Sequence, residues 1–287
     1  MSLIKTTAEL EQWFAETGRK NKTLGFVPTM GYLHAGHLSL IKKAKEENNL
    51  VTVSIFVNPT QFAPGEDFES YPRDIERDYK LAAGAGADVV FHPSVSEIYA
   101  PGASTAVEVT GDIPKKLCGA SRPAHFKGVT TVVNILLNIM GPDRAYFGQK
   151  DAQQAIIIKK MVRDLHMPVN VVVCPIVREA DGLAMSSRNV YLNPRERSEA
   201  TVLNRALGEA ENFLKLWTEG CNYVENLHSL ITQKIKTSPI ADIDYVEILD
   251  AETLEPIEFI LPGKPALAAV AVRFGKTRLI DNRVLTV

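Results

Sequence analysis

Along the first 175 or so residues, short apolar runs alternate with longer stretches whose apolar positions recur at helical spacing. Residues 24–28 read as a buried strand, followed by a glycine-punctuated turn and a helix from His37 to Glu47. Residues 51–57, rich in β-branched side chains, read as a second strand. A polar loop with Pro59, Pro64, Gly65 and Pro72 leads to a helix ending near Ala83 and a strand over 88–91. Then come a helical stretch over 129–140, a strand at 144–147, a helix over 151–165 and a strand at 169–174. Strands alternating with helices of this length predict βαβ units, hence an α/β fold with a parallel sheet and right-handed crossovers.

From about Arg195 the pattern changes. Asn193 and Pro194 make an N-cap and first-turn pair. Val202, Leu203, Ala206, Leu207, Ala210, Phe213, Leu214 and Trp217 then recur at helical spacing, and a second helix is expected over 223–236. After Pro239 the pattern becomes that of strands, at 244–249, 266–274 and 277–280, joined by short turns as in an antiparallel sheet. A smaller α+β domain therefore begins within 176–190, and we divide the chain into domains at 1–176 and 177–287.

Composition narrows the function. The chain has 287 residues, 45% hydrophobic and 23% charged, with a formal net charge of -2. A dedicated nucleic-acid binder would carry a basic surplus, so no nucleic-acid partner is expected. Cys118, Cys174 and Cys221 are far apart and form no Cys-x-x-Cys pair, as for reduced thiols in a cytoplasmic protein rather than a disulfide framework or a zinc site. Charges interrupt the apolar pattern of the first residues, so no secretory leader is expected there. No apolar run approaches the roughly 20 residues of a membrane span.

The candidate chemistry sits at strand ends. Directly after the first strand comes Met30, Gly31, Tyr32, Leu33, His34, Ala35, Gly36 and His37. In open α/β sheets, the crevice at the carboxyl ends of strands is where ligands bind. A helix N-terminus there offers N–H groups and partial positive charge to a phosphate. Two imidazoles can donate to oxygens that gain charge as an α-phosphate is attacked, although they could also be turn or cap residues. A zinc site lacks a supporting carboxylate or cysteine nearby. Near the domain boundary, Met185, Ser186, Ser187, Arg188 and Asn189 place two hydroxyls and a guanidinium on what reads as a mobile loop, fitting a leaving pyrophosphate. Gly148, Gln149, Lys150 and Asp151 run from a strand into a helix, with Gln154 one turn further on. There Gly148 exposes backbone, Lys150 can neutralise a phosphate and Asp151 can accept from ribose or cap the helix. Asn58 and Gln61 follow the second strand, where amides fit an uncharged, hydroxyl-bearing substrate.

His-x-Gly-His followed by the Ser-Ser-Arg element, in this order, resembles the signature of the nucleotidyltransferase superfamily that includes class I aminoacyl-tRNA synthetases. More specifically, the chain resembles the pantothenate synthetase (pantoate–β-alanine ligase) family nearly end to end. The resemblance rests on Pro-Thr-Met-Gly-Tyr-Leu-His-Ala-Gly-His at 28–37, Phe-Val-Asn-Pro-Thr-Gln-Phe at 56–62 and Tyr-Pro-Arg at 71–73. It continues in Arg-Pro-Ala-His-Phe-Lys-Gly-Val at 122–129, Phe-Gly-Gln-Lys-Asp at 147–151 and Met-Ser-Ser-Arg-Asn at 185–189. The resemblance implies a Rossmann-like, doubly wound parallel sheet with a smaller C-terminal lid domain. Residues 30–37 would line the ATP site, with His34 and His37 near the α-phosphate and His37 the proton donor. Gln61 and Gln154 would bind pantoate hydroxyls, Gln61 also bordering β-alanine. Gly148 and Asp151 would hold the ribose, Lys150 a phosphate, backbone at Val177 and Met185 the adenine edge, and Ser186, Ser187 and Arg188 the β- and γ-phosphates. Gln149 receives no role of its own. ATP with Mg2+, a homodimer, and pantoate and β-alanine as substrates follow from the same resemblance, with no metal ligand assigned on the protein.

ATP does the activating in such a reaction, so no side-chain nucleophile is needed and the protein supplies positioning and charge stabilisation. An acyl-adenylate hydrolyses in water, which makes the loop from Gln61 to Arg73 the candidate cover. Asp74 and Asp78 could approach Mg2+, but helix-face carboxylates are ordinarily solvated. Arg122, His125 and Lys127 are either substrate contacts or a solvated loop. The rival enzyme reading is a nucleotidyltransferase that keeps the adenylyl group in its product. The rival outside enzymes is a nucleotide-sensing or RNA-binding module, against which stand the intact His34, His37, Lys150 and Arg188.

Overall fold

The computed structural model describes residues 1–216 and 222–287, so the expected helical position of Trp217 and the thiol of Cys221 lie outside the described residues. The chain folds as two compact units, the first being 1–114, 122–149 and 154–175, and the second 115–121, 150–153 and 176–287.

The first unit is built on a six-stranded sheet in which every pairing is parallel. In chain order its elements are β1 (Ser2–Ile4), α1 (Thr7–Glu16), β2 (Leu24–Thr29), α2 (Ala35–Glu47), β3 (Leu50–Ile55), α3 (Ile75–Ala85) and β4 (Val89–Phe91). After α4 (Val95–Ile98), and past α5 (Leu117–Ser121), which belongs to the second unit, come α6 (His125–Met140), β5 (Arg144–Gly148), α7 (Ala152–Asp164) and β6 (Asn170–Cys174). The central strands are buried on both faces, as a parallel sheet covered by helices requires. Their side chains alternate between two cores. Val27, Val53, Val90 and Tyr146 pack with α2 and α3, while Phe26, Val89, Phe91, Ala145 and Phe147 pack with α1, α6 and α7.

β1 and α1 are not foreseen by the apolar pattern. β1 is a three-residue edge strand with only Ile4 buried, and α1 buries Leu10 alone. The start of α1 is nonetheless marked in sequence, since Thr6 and Glu9 form a reciprocal capping box.

The sheet order is β1-β4-β3-β2-β5-β6. From β2 the chain moves outward to β3 and β4, then returns to the opposite side of β2 with β5 and β6. The carboxyl ends of β2 and β5 therefore flank the topological switch point, where doubly wound sheets bind ligands. Residues 30–37, 56–61 and 148–149 lie at or just after the ends of strands on this side.

The second unit has its own core. After Ser187–Tyr191, a 3-10 turn, come α8 (Pro194–Glu199), capped by Asn193 with Pro194 in the first turn as expected, then α9 (Val202–Lys215) and α10 (Val224–Ile235). β7 (Ala241–Asp250), β8 (Ala266–Phe274) and β9 (Thr277–Leu285) form a three-stranded antiparallel sheet. Leu203, Leu207, Leu227 and Ile231 from the helices meet Val246, Val270 and Phe274 from the sheet. β9 runs five residues beyond its expected end because the polar run Asp281, Asn282 and Arg283 interrupts its apolar pattern, although Asp281 and Asn282 are buried. Among the described residues, no helix is long and apolar enough to cross a membrane.

Phe26, fully buried at the centre of β2, is the test of this layering. Phe26→Ala should destabilise the first unit by about 3–5 kcal/mol, read as a lowered denaturant midpoint. A loss within about 0.5 kcal/mol, the range of surface changes, would contradict the placement.

Candidate active site

β2 ends at Thr29 and α2 starts at Ala35, so the intervening residues must turn the chain sharply. The Thr29 hydroxyl accepts from the Gly31 N–H at 3.1 Å and donates to the Ser54 carbonyl at 2.8 Å. Gly31 adopts φ +90°, and a Cβ there would sit 3.0 Å from Ile55 and 3.1 Å from an Asp78 carboxylate oxygen. Tyr32 follows at φ +49°. Asp78, expected as a solvated carboxylate on the face of α3, is instead buried with a side chain 1% exposed. Its oxygens accept from the Tyr32 N–H at 2.6 Å and the Leu33 N–H at 2.7 Å. Asp74, its neighbour one turn earlier, caps α3 by accepting from the Arg77 N–H.

The imidazoles of His34 and His37 close the start of α2. His34 is its N-cap, and its Nδ1 accepts from the Gly36 N–H at 3.1 Å. His37 Nδ1 accepts in turn from the His34 N–H at 3.3 Å. The motif is thus a capping box made of imidazoles, and the cap and ligand readings coincide. An imidazole nitrogen that accepts carries no proton, so each neutral ring holds its proton on Nε2 as a donor. The half-buried rings lie 4.1 Å apart between centroids. Both Nδ1 atoms are committed to backbone N–H groups, and among the described residues no group of three or more His, Cys, Asp or Glu side chains is placed to hold a metal ion.

At the end of β3, Asn58 caps the turn Pro59–Gln61. Expected among the substrate-binding groups, Asn58 is 1% exposed and its polar atoms are engaged within the protein. Its oxygen accepts from the Tyr99 hydroxyl at 2.8 Å and the Thr60 hydroxyl at 3.0 Å. Its amide nitrogen reaches Gln61 Oε1 at 3.2 Å and the Gly128 carbonyl at 3.1 Å. Asn58 thereby orients Gln61. Gln61 Nε2 lies 2.9 Å from Met30 Sδ, which links this turn to the one after β2.

The motif at 122–129, open in sequence between substrate contact and solvated loop, braces the same glutamine. Arg122 Nη2 and His125 Nδ1 donate to the Gln61 carbonyl at 3.2 and 2.9 Å. Arg122 also grips both oxygens of Glu66, at 2.6 and 2.5 Å. α6 approaches so closely that a Cβ on Gly128 would lie 2.6 Å from the Thr60 carbonyl carbon and 2.7 Å from the Gln61 nitrogen. The remainder of the loop packs on itself, with Phe62 edge-on to Phe68 and Tyr71, and Arg73 over the Phe68 ring while donating to the Phe68 and Tyr71 carbonyls. Gly148, the last residue of β5, Gln149 just after it, and Gln154, at the start of α7, are half-buried in the same unit.

Lys150, Asp151, Val177 and residues 185–188 belong to the second unit. The Lys150 carbonyl accepts from Asn282 Nδ2 on β9 at 2.9 Å. The adjacent Asp281 takes both Arg178 nitrogens at 2.7 and 3.0 Å. Arg178 begins a short ribbon in which the Met185 N–H meets the Val177 carbonyl at 3.0 Å. Ser186 then caps the turn Ser187–Tyr191, accepting from the Arg188 N–H at 3.3 Å. This segment, expected as a mobile loop, is pinned. Asn189 donates to Glu179 and to the Ala184 carbonyl, and Arg197 bridges Glu179 and Asp181. Hydrogen bonding to Asp181 raises the proton affinity of Arg197 further, so the clamp keeps its charge.

The chain matches the family model described as pantoate-beta-alanine ligase over residues 2–284. It is 54% identical over 285 residues to a pantothenate synthetase of Thermotoga petrophila, covering 99% of this chain and 100% of that one. With a pantothenate synthetase of Heliobacterium modesticaldum it shares 55% identity over 287 residues, covering all of both chains. Among solved structures, pantothenate synthetase from Thermus thermophilus superposes with a TM-score of 0.90 at 45% identity, covering 99% of each chain. Pantoate-beta-alanine ligase from Francisella tularensis, complexed with a β,γ ATP compound and β-alanine, superposes at 0.76 with 35% identity over 99% of this chain and 97% of that one.

The Glu66–Arg122 pair makes the loop's pH response predictable. Burial opposes the Glu66 charge, but the Arg122 hydrogen bonds and charge outweigh it and hold the carboxyl below the usual range. A carboxylate with a depressed folded pKa stabilises above its unfolded pKa and loses that contribution only as pH falls through the folded value. Hydrogen exchange of the 62–73 amides, corrected for intrinsic rates, should therefore stay level from neutrality down to about pH 4.3, the ordinary glutamate value, and rise below it. A rise that begins between about pH 7 and pH 5, above that ordinary value, would remove this latch from the account.

Proposed function

The chain belongs to the pantoate–β-alanine ligase family, and on that footing we propose that it condenses pantoate with β-alanine, converting ATP to AMP and pyrophosphate. A carboxylate oxygen of pantoate attacks the α-phosphorus, and the bond to the bridging oxygen of pyrophosphate breaks. The deprotonated amine of β-alanine then attacks the carbonyl of pantoyl-adenylate, forming the amide of pantothenate and expelling AMP. The observation that supports this reading most directly is the imidazole pair at the N-terminus of α2, beside the switch point of the sheet.

Each residue's part follows its chemistry. His34 and His37 offer Nε2–H donors to α-phosphate oxygens as negative charge grows there, with His37 the proton donor. The backbone of 30–33, 35 and 36 borders the nucleotide. Gln61, braced through its carbonyl, turns its amide to the pantoate hydroxyls and borders β-alanine, with Gln154 as the second amide and Asn58 as its support. Gly148 and Asp151 serve the ribose, with Gln149 between them. Val177 and Met185, joined by one hydrogen bond, meet the adenine edge through their backbone. Lys150, Ser186, Ser187 and Arg188 take the phosphates, Arg188 as a bidentate donor. The loop 61–73 keeps water from the adenylate. In this scheme 1–176 is the Rossmann-like substrate domain and 177–287 the lid.

Mg2+ fits as an ion carried on the nucleotide, because it keeps several waters and needs only one or two carboxylates beside phosphate oxygens. When bound it offsets charge on the phosphate oxygens. The same reading makes the protein a cytoplasmic homodimer, in keeping with the free thiols of Cys118 and Cys174.

Incubation with ATP, Mg2+ and pantoate, with and without β-alanine, tests the reaction. Sustained AMP release should require both pantoate and β-alanine and match pantothenate formed. AMP release that ignores the amine would overturn the second half-reaction. His37→Ala should lower kcat by about 10²–10³-fold, the scale of losing one transition-state donor, with ATP binding far less affected. Gln61→Ala should raise the KM for pantoate well above any change for ATP, and equal losses in both would displace Gln61 from the pantoate pocket.

A further inference from the structure

We propose that Asp78 is a positioning residue for adenylation, holding the 31–33 turn, and through it the His34 cap, in the one pose that lets both imidazoles meet the α-phosphate. This role presupposes the adenylation reading above and adds to it a residue that touches neither nucleotide nor acid.

The argument begins at Tyr32. Its φ of +49° is a backbone conformation that a side chain bearing a Cβ disfavours, and it persists only where surroundings impose it. What imposes it is Asp78. Its two oxygens receive the consecutive N–H groups of Tyr32 and Leu33 at 2.6 and 2.7 Å, a spacing that fixes the intervening peptide plane. Arg77 completes the grip, since its Nη2 donates to the Leu33 carbonyl at 2.9 Å and its guanidinium lies 4.8 Å from the Tyr32 ring centre. It also stands 3.2 Å from Asp78. Leu33 then leads directly into His34, whose backbone N–H and Nδ1 form the imidazole capping box.

The carboxylate is an expensive way to build a turn. Burial raises its proton affinity against the pull of the two amides and of Arg77. A buried charge retained under such a loop serves geometry more than stability. A shift of about 1 Å in a reacting group costs on the order of 10²-fold in rate, so a residue that fixes this turn has leverage on catalysis without touching substrate.

Asp78→Asn keeps the shape but points an amide NH2 toward one of two backbone donors. In the pantoate-dependent exchange of pyrophosphate into ATP, kcat should fall by about tenfold to a hundredfold. Amide hydrogen exchange should speed up at Leu33 and Gly36, the latter reporting the His34 cap. Adding Tyr32→Gly should recover part of the lost kcat, because glycine takes positive φ unaided; a residue that merely stabilised the fold would show no such coupling. Arg77→Gln, which leaves the carboxylate in place, should reproduce the effect more mildly and keeps the test open if Asp78→Asn fails to fold. Wild-type kcat in a folded Asp78→Asn or Arg77→Gln protein would overturn the proposal, as would lost activity with unchanged Gly36 exchange and no recovery by Tyr32→Gly. Absence of exchange in the unaltered protein would instead overturn the adenylation reading, while the Leu33 and Gly36 amides would still report on the turn.

Discussion

Two imidazoles that accept hydrogen bonds from the backbone of their own turn set the terms for the rest of this molecule. By committing each Nδ1 to an N–H at the start of α2, His34 and His37 cap the helix and fix the proton of each neutral ring on Nε2. The fold supplies the location, a helix start beside the switch point of a doubly wound sheet. The helix adds its partial positive charge at the same end. A capping interaction thereby becomes a pair of oriented donors, which is what stabilising a more negative α-phosphate requires.

The groups assigned to ligands stand on buried or half-buried polar supports from distant segments. Asp78 and Arg77 on α3 lie beneath the turn after β2. Arg122, just before α6, and His125 and Gly128, in its first turn, set the Gln61 turn from the other face of the sheet. In the second unit, Asp281 and Asn282 on β9 hold the ribbon before Met185 and the backbone of Lys150. Networks of this kind rigidify a site when fully satisfied, and their cost in desolvation is why they appear where geometry matters most. A conformationally selective site can then leave chemistry to ATP and spend its own structure on placement.

The layers of the fold are legible in sequence because central strands such as 24–29 and 50–55 are mostly apolar and almost wholly buried, and helices such as α2 and α9 bury one apolar face. β1 and α1 escape because each buries a single residue, which leaves no period to read. The apolar pattern starts α2 at His37 rather than Ala35 because imidazole is an uncommon N-cap. Candidate residues whose chemistry is local, such as His34, His37 and Gln61, stand out in their motifs. Their supports are not, for Asp78 lies 46 residues from Tyr32 and resembles any acid in the first turn of a helix. The supporting bonds of Asn58 are hidden for the same reason: a cap whose amide meets Gln61 and Gly128 has no distinguishing mark in sequence.

The tautomeric state of the two histidines tests the central claim most directly. Long-range ¹H–¹⁵N spectra of protein labelled in its imidazoles, assigned through His34→Gln and His37→Gln variants, report which ring nitrogen carries the proton. Where the rings are neutral, both should show protonated Nε2 and accepting Nδ1, and adding ATP with Mg2+ should shift the Nε2 resonances while leaving Nδ1 as acceptor. A proton on Nδ1 of either ring would mean that the cap does not form in solution and would remove the oriented Nε2–H pair on which the proposed α-phosphate contact rests.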